Sequence, residues 1–268
     1  MSGVGRARST LVEGPDGPLE ILTTGRGGPH TLFVHGLAGS IGSTRPYGMR
    51  VAGTRTFVHL RGHGRSPAPA GRWGYAELAE EVWAVADHVG ADRVLGISMG
   101  AGAVCHGLTR DPDRFERVVL ALPAALDRPR EDRAMGALRA LADRVAAGDR
   151  QALVEHLVAD QPEAVRQDPA VRVWAAEQTE QLLRPGLAEA LRVLPGLVPV
   201  PDRELLRRVT CPVLVLAQEG DATHPVAVAR ELGACFERSV VRVAGPGGIM
   251  WEHRQQTRDL VGDFLSAP

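Results

Sequence analysis

Short runs of unbroken apolar residues alternate along most of this chain with longer windows in which apolar positions recur every three or four residues. The run at 31–34 is continuously apolar, as a strand buried on both faces should be, 117–122 reads as another buried strand, and 55–60, 94–95, 213–217 and 239–243 read as further strands of the same sheet. The window 73–89 repeats apolar residues at Leu78, Val82, Val85, Ala86 and Val89 and stops at Gly90, which predicts an amphipathic helix with a glycine at its end. Windows 226–232 and 251–265 read the same way. Residues 10–12 and 19–23 flank Gly14, Pro15, Asp16, Gly17 and Pro18, and so predict an opening hairpin. Strands alternating with helices imply an α/β fold: a mainly parallel, doubly wound sheet with its ligand site outside the strand C-termini.

The alternation breaks between 124 and 208. Strand signals vanish there, and Arg-, Glu- and Ala-rich helical windows replace them at 131–147, 150–160, 169–183 and 187–194. The expected organisation is therefore a core formed by 1–123 and 209–268, interrupted by a helical cap or lid at 124–208 that roofs the site and governs access.

The candidate chemistry sits at the end of the strand at 94–95. Gly96, Ile97, Ser98, Met99 and Gly100 spell G-x-S-x-G and run into the small residues Ala101, Gly102 and Ala103. A serine on a tight strand-to-helix turn needs glycines two residues to either side, because a Cβ there collides with the adjoining strand or helix. The N–H of Met99 then supplies one donor for an oxyanion. After the strand at 31–34 come His35, Gly36, Leu37, Ala38, Gly39 and Ser40, a glycine-rich turn in which the N–H of Leu37 is the second candidate donor. His35 is expected to hold that loop by hydrogen bonds, and His35, Gly36 and His224 form the expected substrate-binding set.

Composition narrows the partners. Charged residues make up 24% of 268 and the formal net charge is -1, with acidic and basic positions interspersed; no nucleic-acid or anionic-membrane partner is implied, and a small-molecule substrate is expected. All 31 basic residues are Arg, so a Lys Schiff base or a Ser–Lys mechanism is ruled out. Three widely spaced cysteines, Cys105, Cys211 and Cys235, fit a reducing compartment, and no close His, Cys or carboxylate spacing suggests a metal. No G-x-G-x-x-G follows a strand and no Walker A sequence is present, so no cofactor is expected. Glu13, Asp16 and Glu20 interrupt any leader-like apolar stretch, and nothing approaches a membrane span; a cytoplasmic protein is expected. Arg128, Arg130 and Arg133 near the cap entrance are read as a solvated face, with contact to a substrate carboxylate or phosphate as the alternative.

Several motifs in order, FVHGLAGS, LRGHGRS, GISMGAGA and LAQEGDATHP, resemble those of the α/β-hydrolase family over nearly the whole chain outside the cap. The resemblance implies an eight-stranded sheet, Ser98 as nucleophile, the N–H groups of Met99 and Leu37 as oxyanion hole, and Asp221 as the orienting acid, with Glu219 as a weaker alternative. It also implies that His63 in RGHGRS is structural. The departure is at the base. Where the family carries a histidine after the last strand, the chain reads Ala244-Gly245-Pro246-Gly247-Gly248-Ile249.

Three explanations compete: His253 serves as base if the loop runs long; His224, three residues after Asp221, serves instead, although it is expected to line the pocket; or no histidine base exists. The leading expectation is a serine hydrolase of a carboxylic ester, thioester or lactone, using Ser98, His253 and Asp221. The alternatives are a lyase, cyclase or isomerase on the same scaffold and, third, a catalytically silent binding protein.

Overall fold

A computed structural model describes residues 8–129 and 133–268, and the backbone alone for 133 and 134. Arg130 and the first two residues of the 131–147 window lie outside the described residues, as does the side chain of Arg133. Eight strands form one sheet: β1 (Thr10–Gly14), β2 (Gly17–Gly25), β3 (His30–Val34), β4 (Thr54–His59), β5 (Arg93–Ile97), β6 (Arg117–Ala121), β7 (Val213–Gln218) and β8 (Ser239–Ala244). Their spatial order is β1-β2-β4-β3-β5-β6-β7-β8. The β1–β2 and β2–β4 pairs are antiparallel and the rest are parallel, so the expected hairpin and doubly wound sheet are both present.

Why these runs make a two-faced sheet is visible in alternate side chains. Leu32 and Val34 of β3 join the core shared with α2 (Tyr75–Val89) and α3 (Met99–Arg110), while Phe33 between them joins the opposite core. That second core is closed by α1 (Ile41–Thr44) and α9 (Arg254–Ser266), through Ile41, Val261 and Leu265. The remaining sheet-packed helix is α8 (Val226–Ala234), whose Ala229 and Leu232 reach the first core. Because both faces are covered, each central strand needs apolar residues at every position rather than at alternate ones.

The segment between β6 and β7 is helical, as its periodicity predicts: α4 (Arg133–Ala147), α5 (Arg150–Ala159), α6 (Pro169–Leu182) and α7 (Leu187–Val193). It has a small apolar cluster of its own, Leu141, Ala142, Val145, Leu153, Leu182 and Leu191, and Ala38 of the loop after β3 belongs to the same cluster. The insertion is thus packed directly on a loop of the site. The last helix starts later than its periodicity predicts, at Arg254 rather than 251, because Gly248–Glu252 forms a separate π turn before it.

Candidate active site

Ser98 occupies the sharp bend between β5 and α3. Its φ is 50° and ψ -108°, a left-handed conformation that a non-glycine residue holds only when its surroundings impose it. Those surroundings are explicit: the Ser98 N–H donates to the carbonyl of Ala121 on β6 at 2.9 Å, and the Ser98 carbonyl accepts from the N–H of Gly102 at 2.9 Å. The two glycines are sterically required. A Cβ at Gly96 would stand 2.6 Å from the Gly100 carbonyl oxygen, and one at Gly100 would stand 2.7 Å from the carbonyl oxygens of both Val34 and His35.

The loop after β7 brings up the partners. Asp221 Oδ1 accepts the N–H groups of Thr223 and His224, each at 2.9 Å, which curls the chain back so that the His224 ring lies beside its own acid. His224 Nδ1 then meets Asp221 Oδ2 at 2.9 Å and His224 Nε2 meets Ser98 Oγ at 2.9 Å. The carboxylate accepts at Nδ1 and so fixes that nitrogen as the protonated one, leaving the Nε2 lone pair toward the hydroxyl. Burial pushes the Asp221 carboxyl up, but hydrogen bonds from the His224 side chain and charge, and from the two backbone N–H groups, outweigh it and hold the pKa below the usual value.

His253, the leading candidate for the base on sequence grounds, is not at this site. Its Nδ1 faces Gln256 at 3.3 Å, its Nε2 lies beside Gly245, and it does not line the cavity. The π turn at Gly248–Glu252 is the physical reason, since it spends the intervening residues before the ring can reach inward. His224 is the imidazole at Ser98. The signal that could have found it was an Asp followed three residues later by a His and a helix-starting Pro225, the spacing that lets one side chain fold onto the other. Glu219, the alternative acid, is exposed and bonds no imidazole.

His35, expected in the substrate-binding set, is not among the cavity-lining residues. It is fully buried beneath the loop, with Nδ1 donating to the Gly36 carbonyl at 2.7 Å and Nε2 accepting the Leu60 N–H at 3.2 Å. Gly36 is not among the cavity-lining residues either; it packs against Ser98, whose Cβ would be 3.2 Å from a Cβ added there. His224 does line the cavity. The rest of the loop is held by two more imidazoles: His63 Nε2 accepts the Ala38 N–H at 3.1 Å, and His59 Nε2 accepts the Ile41 N–H at 2.9 Å. Burial lowers the pKa of His35 and His59 and takes His63 down to about 4, so these rings are neutral acceptors at neutral pH. The Leu37 N–H, left between these braced residues, donates to no acceptor among the described residues, and both Leu37 and Met99 line the cavity.

That cavity has a volume of about 270 Å³ and opens onto Ser98. Leu37, Leu138, Leu141, Leu157, Leu182 and Leu191 give it an apolar wall, most of it from the helical insertion, with Asp160 and the amides of Gln161, Gln178 and Gln218 as polar points. No Arg is among its described lining residues. Arg128 is turned away and paired with Glu231 at 2.7 Å. Among the described residues no cluster of His, Cys, Asp and Glu has the geometry to hold a metal ion, and no helix is long and apolar enough to cross a membrane.

A parallel sheet with a strained serine at a strand-to-helix bend, an imidazole on its hydroxyl and a carboxylate on the imidazole defines the class of an α/β hydrolase fold. The chain belongs to that family: the sequence model of the alpha/beta hydrolase fold matches residues 29–248. Its architecture is similar to that of a hydrolase from Pseudomonas aeruginosa, at 23% identity, with 98% of this chain and 100% of that one covered and a TM-score of 0.78. It is also similar to a thermophilic esterase from Thermogutta terrifontis (20% identity, 95% and 97% covered, TM-score 0.75) and to a bromoperoxidase from Bacillus anthracis (19%, 97% and 100%, 0.80). At these identities the likeness establishes the fold. No curated protein matches the sequence.

Proposed function

We propose that the protein is a serine hydrolase that cleaves an uncharged carboxylic ester, thioester or lactone with an apolar acyl group, through an acyl-enzyme on Ser98. The observation that carries this reading is the single imidazole of His224 spanning Ser98 Oγ and Asp221 Oδ2, 2.9 Å from each. His224 Nε2 takes the hydroxyl proton as Ser98 Oγ bonds to the carbonyl carbon, and Asp221 stabilises the imidazolium that results. The carbonyl oxygen, now carrying the negative charge, accepts the N–H groups of Met99 and Leu37. As the tetrahedral adduct collapses, His224 returns the proton to the alkoxide or thiolate oxygen or sulfur whose bond to the acyl carbon breaks, giving the alcohol or thiol, which stays tethered in the case of a lactone. Water then attacks the acyl-enzyme with His224 again as base, releasing the acid and regenerating Ser98.

The acyl class follows from the cavity. A leucine wall of this size, with Asp160 among its polar points and no cation among its described lining residues, favours an apolar, uncharged acyl group and disfavours a carboxylate or phosphate. In this reading the helical insertion is a cap: it supplies most of the apolar wall and covers the acyl group. The expectation of a lyase, cyclase or isomerase rested on a missing imidazole, and with His224 at Ser98 that motive is gone.

The test is labelling by a fluorophosphonate together with hydrolysis of a series of p-nitrophenyl esters of increasing acyl length. Wild type is expected to label at Ser98 and to prefer a medium-length acyl chain over acetate and over an anionic hemisuccinate. Absence of labelling in folded protein would falsify the acyl-enzyme reading.

A further inference from the structure

Gln218, the last residue of β7, joins two parts of the site that lie thirty residues apart in the chain. Its Nε2 donates to Asp221 Oδ2 at 2.9 Å, and its Oε1 accepts the N–H of Ile249 at 2.9 Å. The orientation of the amide is chemically fixed. A backbone N–H only donates and an ionised carboxylate only accepts, so the oxygen must face Ile249 and the NH₂ must face Asp221. Asp221 Oδ2 is also the atom that receives His224 Nδ1–H, so the oxygen serving the imidazole is shared with a neutral donor.

The glycine loop is built around this amide. Gly248 has φ +75°, and a Cβ added to it would stand 3.2 Å from Gln218 Oε1. The side chain of Gln218 therefore occupies the approach by which a side chain at 248 would come to the acid, and the Ile249 N–H anchors it there.

We infer that Gln218 is a positioning residue for the relocated base: its amide holds Asp221 Oδ2 in the plane of the His224 ring and draws charge from that oxygen. The consequence is electrostatic as well as geometric. A donor on the carboxylate oxygen stabilises the anion and weakens its pull on an imidazolium, so loss of the Gln218 amide strengthens that pull. The other charged groups around the ring are few. Asp160 at the end of α5 lines the same cavity, Glu219 is exposed on the same loop, and Glu252 and His253 belong to the turn before α9, beside Gly247 and Gly245. None of these makes a hydrogen bond to Asp221 or His224 among the described residues; Asp221 Oδ1 takes backbone N–H groups, and on Oδ2 the Gln218 amide stands beside the imidazole.

The inference rests on the acyl-enzyme reading for its effect on turnover, so its test has two independent readouts on the full chain. The first is an NMR titration of the His224 ring in wild type, Gln218→Leu and Gln218→Glu; the second is the pH dependence of ester hydrolysis by the same proteins. Gln218→Leu is expected to raise the His224 titration midpoint by about half a pH unit, and Gln218→Glu, which sets a second carboxylate beside Asp221, by about one unit or more. Near pH 6 the kcat of Gln218→Leu is expected to fall about threefold and that of Gln218→Glu about tenfold, with KM within about twofold, and both recover near pH 9 as the base deprotonates. If Gln218→Leu does not fold, Gln218→Met takes its place, with similar length and no amide donor. A midpoint unchanged in folded Leu, Met and Glu variants, or an activity loss uniform across pH, overturns the role. Should wild type itself fail to hydrolyse any ester, the acyl-enzyme reading falls while the titration still decides the position of Gln218.

Discussion

Two of the histidine–carboxylate pairs among the described residues, one at His59 and one at His224, are built alike and differ in what the far ring nitrogen touches. On the β2–β4 side, Glu20 Oε2 meets His59 Nδ1 at 2.9 Å and His59 Nε2 accepts the backbone N–H of Ile41 at 2.9 Å. On the β7 side, Asp221 Oδ2 meets His224 Nδ1 at 2.9 Å and His224 Nε2 meets the Ser98 hydroxyl at 2.9 Å. Both carboxyls are held below their usual pKa: burial pushes Glu20 up, but hydrogen bonds from Ser9, His59 and Arg65 outweigh it and bring it to about 2. The difference is what the far nitrogen touches. An amide N–H does not surrender its proton at any working pH, so His59 is a brace, whereas a serine hydroxyl gives up its proton once an acyl carbon is in reach. A histidine with an acid behind it is therefore not by itself a catalytic device.

The sharpest break of that comparison is to remove the imidazole on each side. His224→Ala is expected to lower kcat/KM for an ester by about a thousandfold or more with little change in melting temperature, as measured by initial rates and thermal unfolding. His59→Ala is expected to do the reverse in kind. It strands the buried Ile41 N–H at a cost of about 1–3 kcal/mol, read as a lower melting temperature, while the folded fraction keeps most of its activity. A large loss of turnover in fully folded His59→Ala would erase the distinction.

A second expected effect concerns the bend rather than the ring. Gly100→Ala forces a Cβ against two carbonyl oxygens of β3 and its following loop, so both stability and labelling at Ser98 are expected to fall sharply; Gly136→Ala, where no atom lies within 4 Å of an added Cβ, should change neither.

The pH dependence of stability separates the two sides further. His63 has a folded pKa of about 4 against an ordinary value of 6.5, with burial as the largest cause. The unfolded chain binds that proton more readily than the folded one, so the contribution of His63 is complete above about pH 6.5 and is lost as pH falls toward about 4. His35 and His59 shift in the same direction and add to the loss. Urea unfolding at a series of pH values is expected to show stability declining through this window, with a shallower decline in His63→Gln. The smallest expected effect is the most pointed: His253→Ala should leave kcat/KM within about twofold of wild type, because its ring is turned to Gln256.

Much of the architecture was legible in one dimension. Apolar runs at β3 and β6 marked strands covered on both faces, and the G-x-S-x-G at 96–100 marked the bend, because steric exclusion of Cβ is a local property. Asp221 was legible from its place in a motif. The base was not. Whether His224 or His253 reaches Ser98 depends on how a glycine-rich loop spends its residues, and at Gly248–Glu252 it spends them on a π turn that periodicity does not announce. Gln218 left no signal either, since a glutamine at a strand end reads as an ordinary polar terminus until two distant partners are seen on its amide.

By itself, then, the sequence determined the order of strands and helices, the run of helices between β6 and β7 and the strained serine, all governed by side-chain periodicity or by contacts a few residues apart. The tertiary structure alone decided which of the nine histidines meets the hydroxyl. That choice is made by hydrogen bonds about 3 Å long between groups more than a hundred residues apart, and a displacement of one turn of chain is enough to move an imidazole out of their reach.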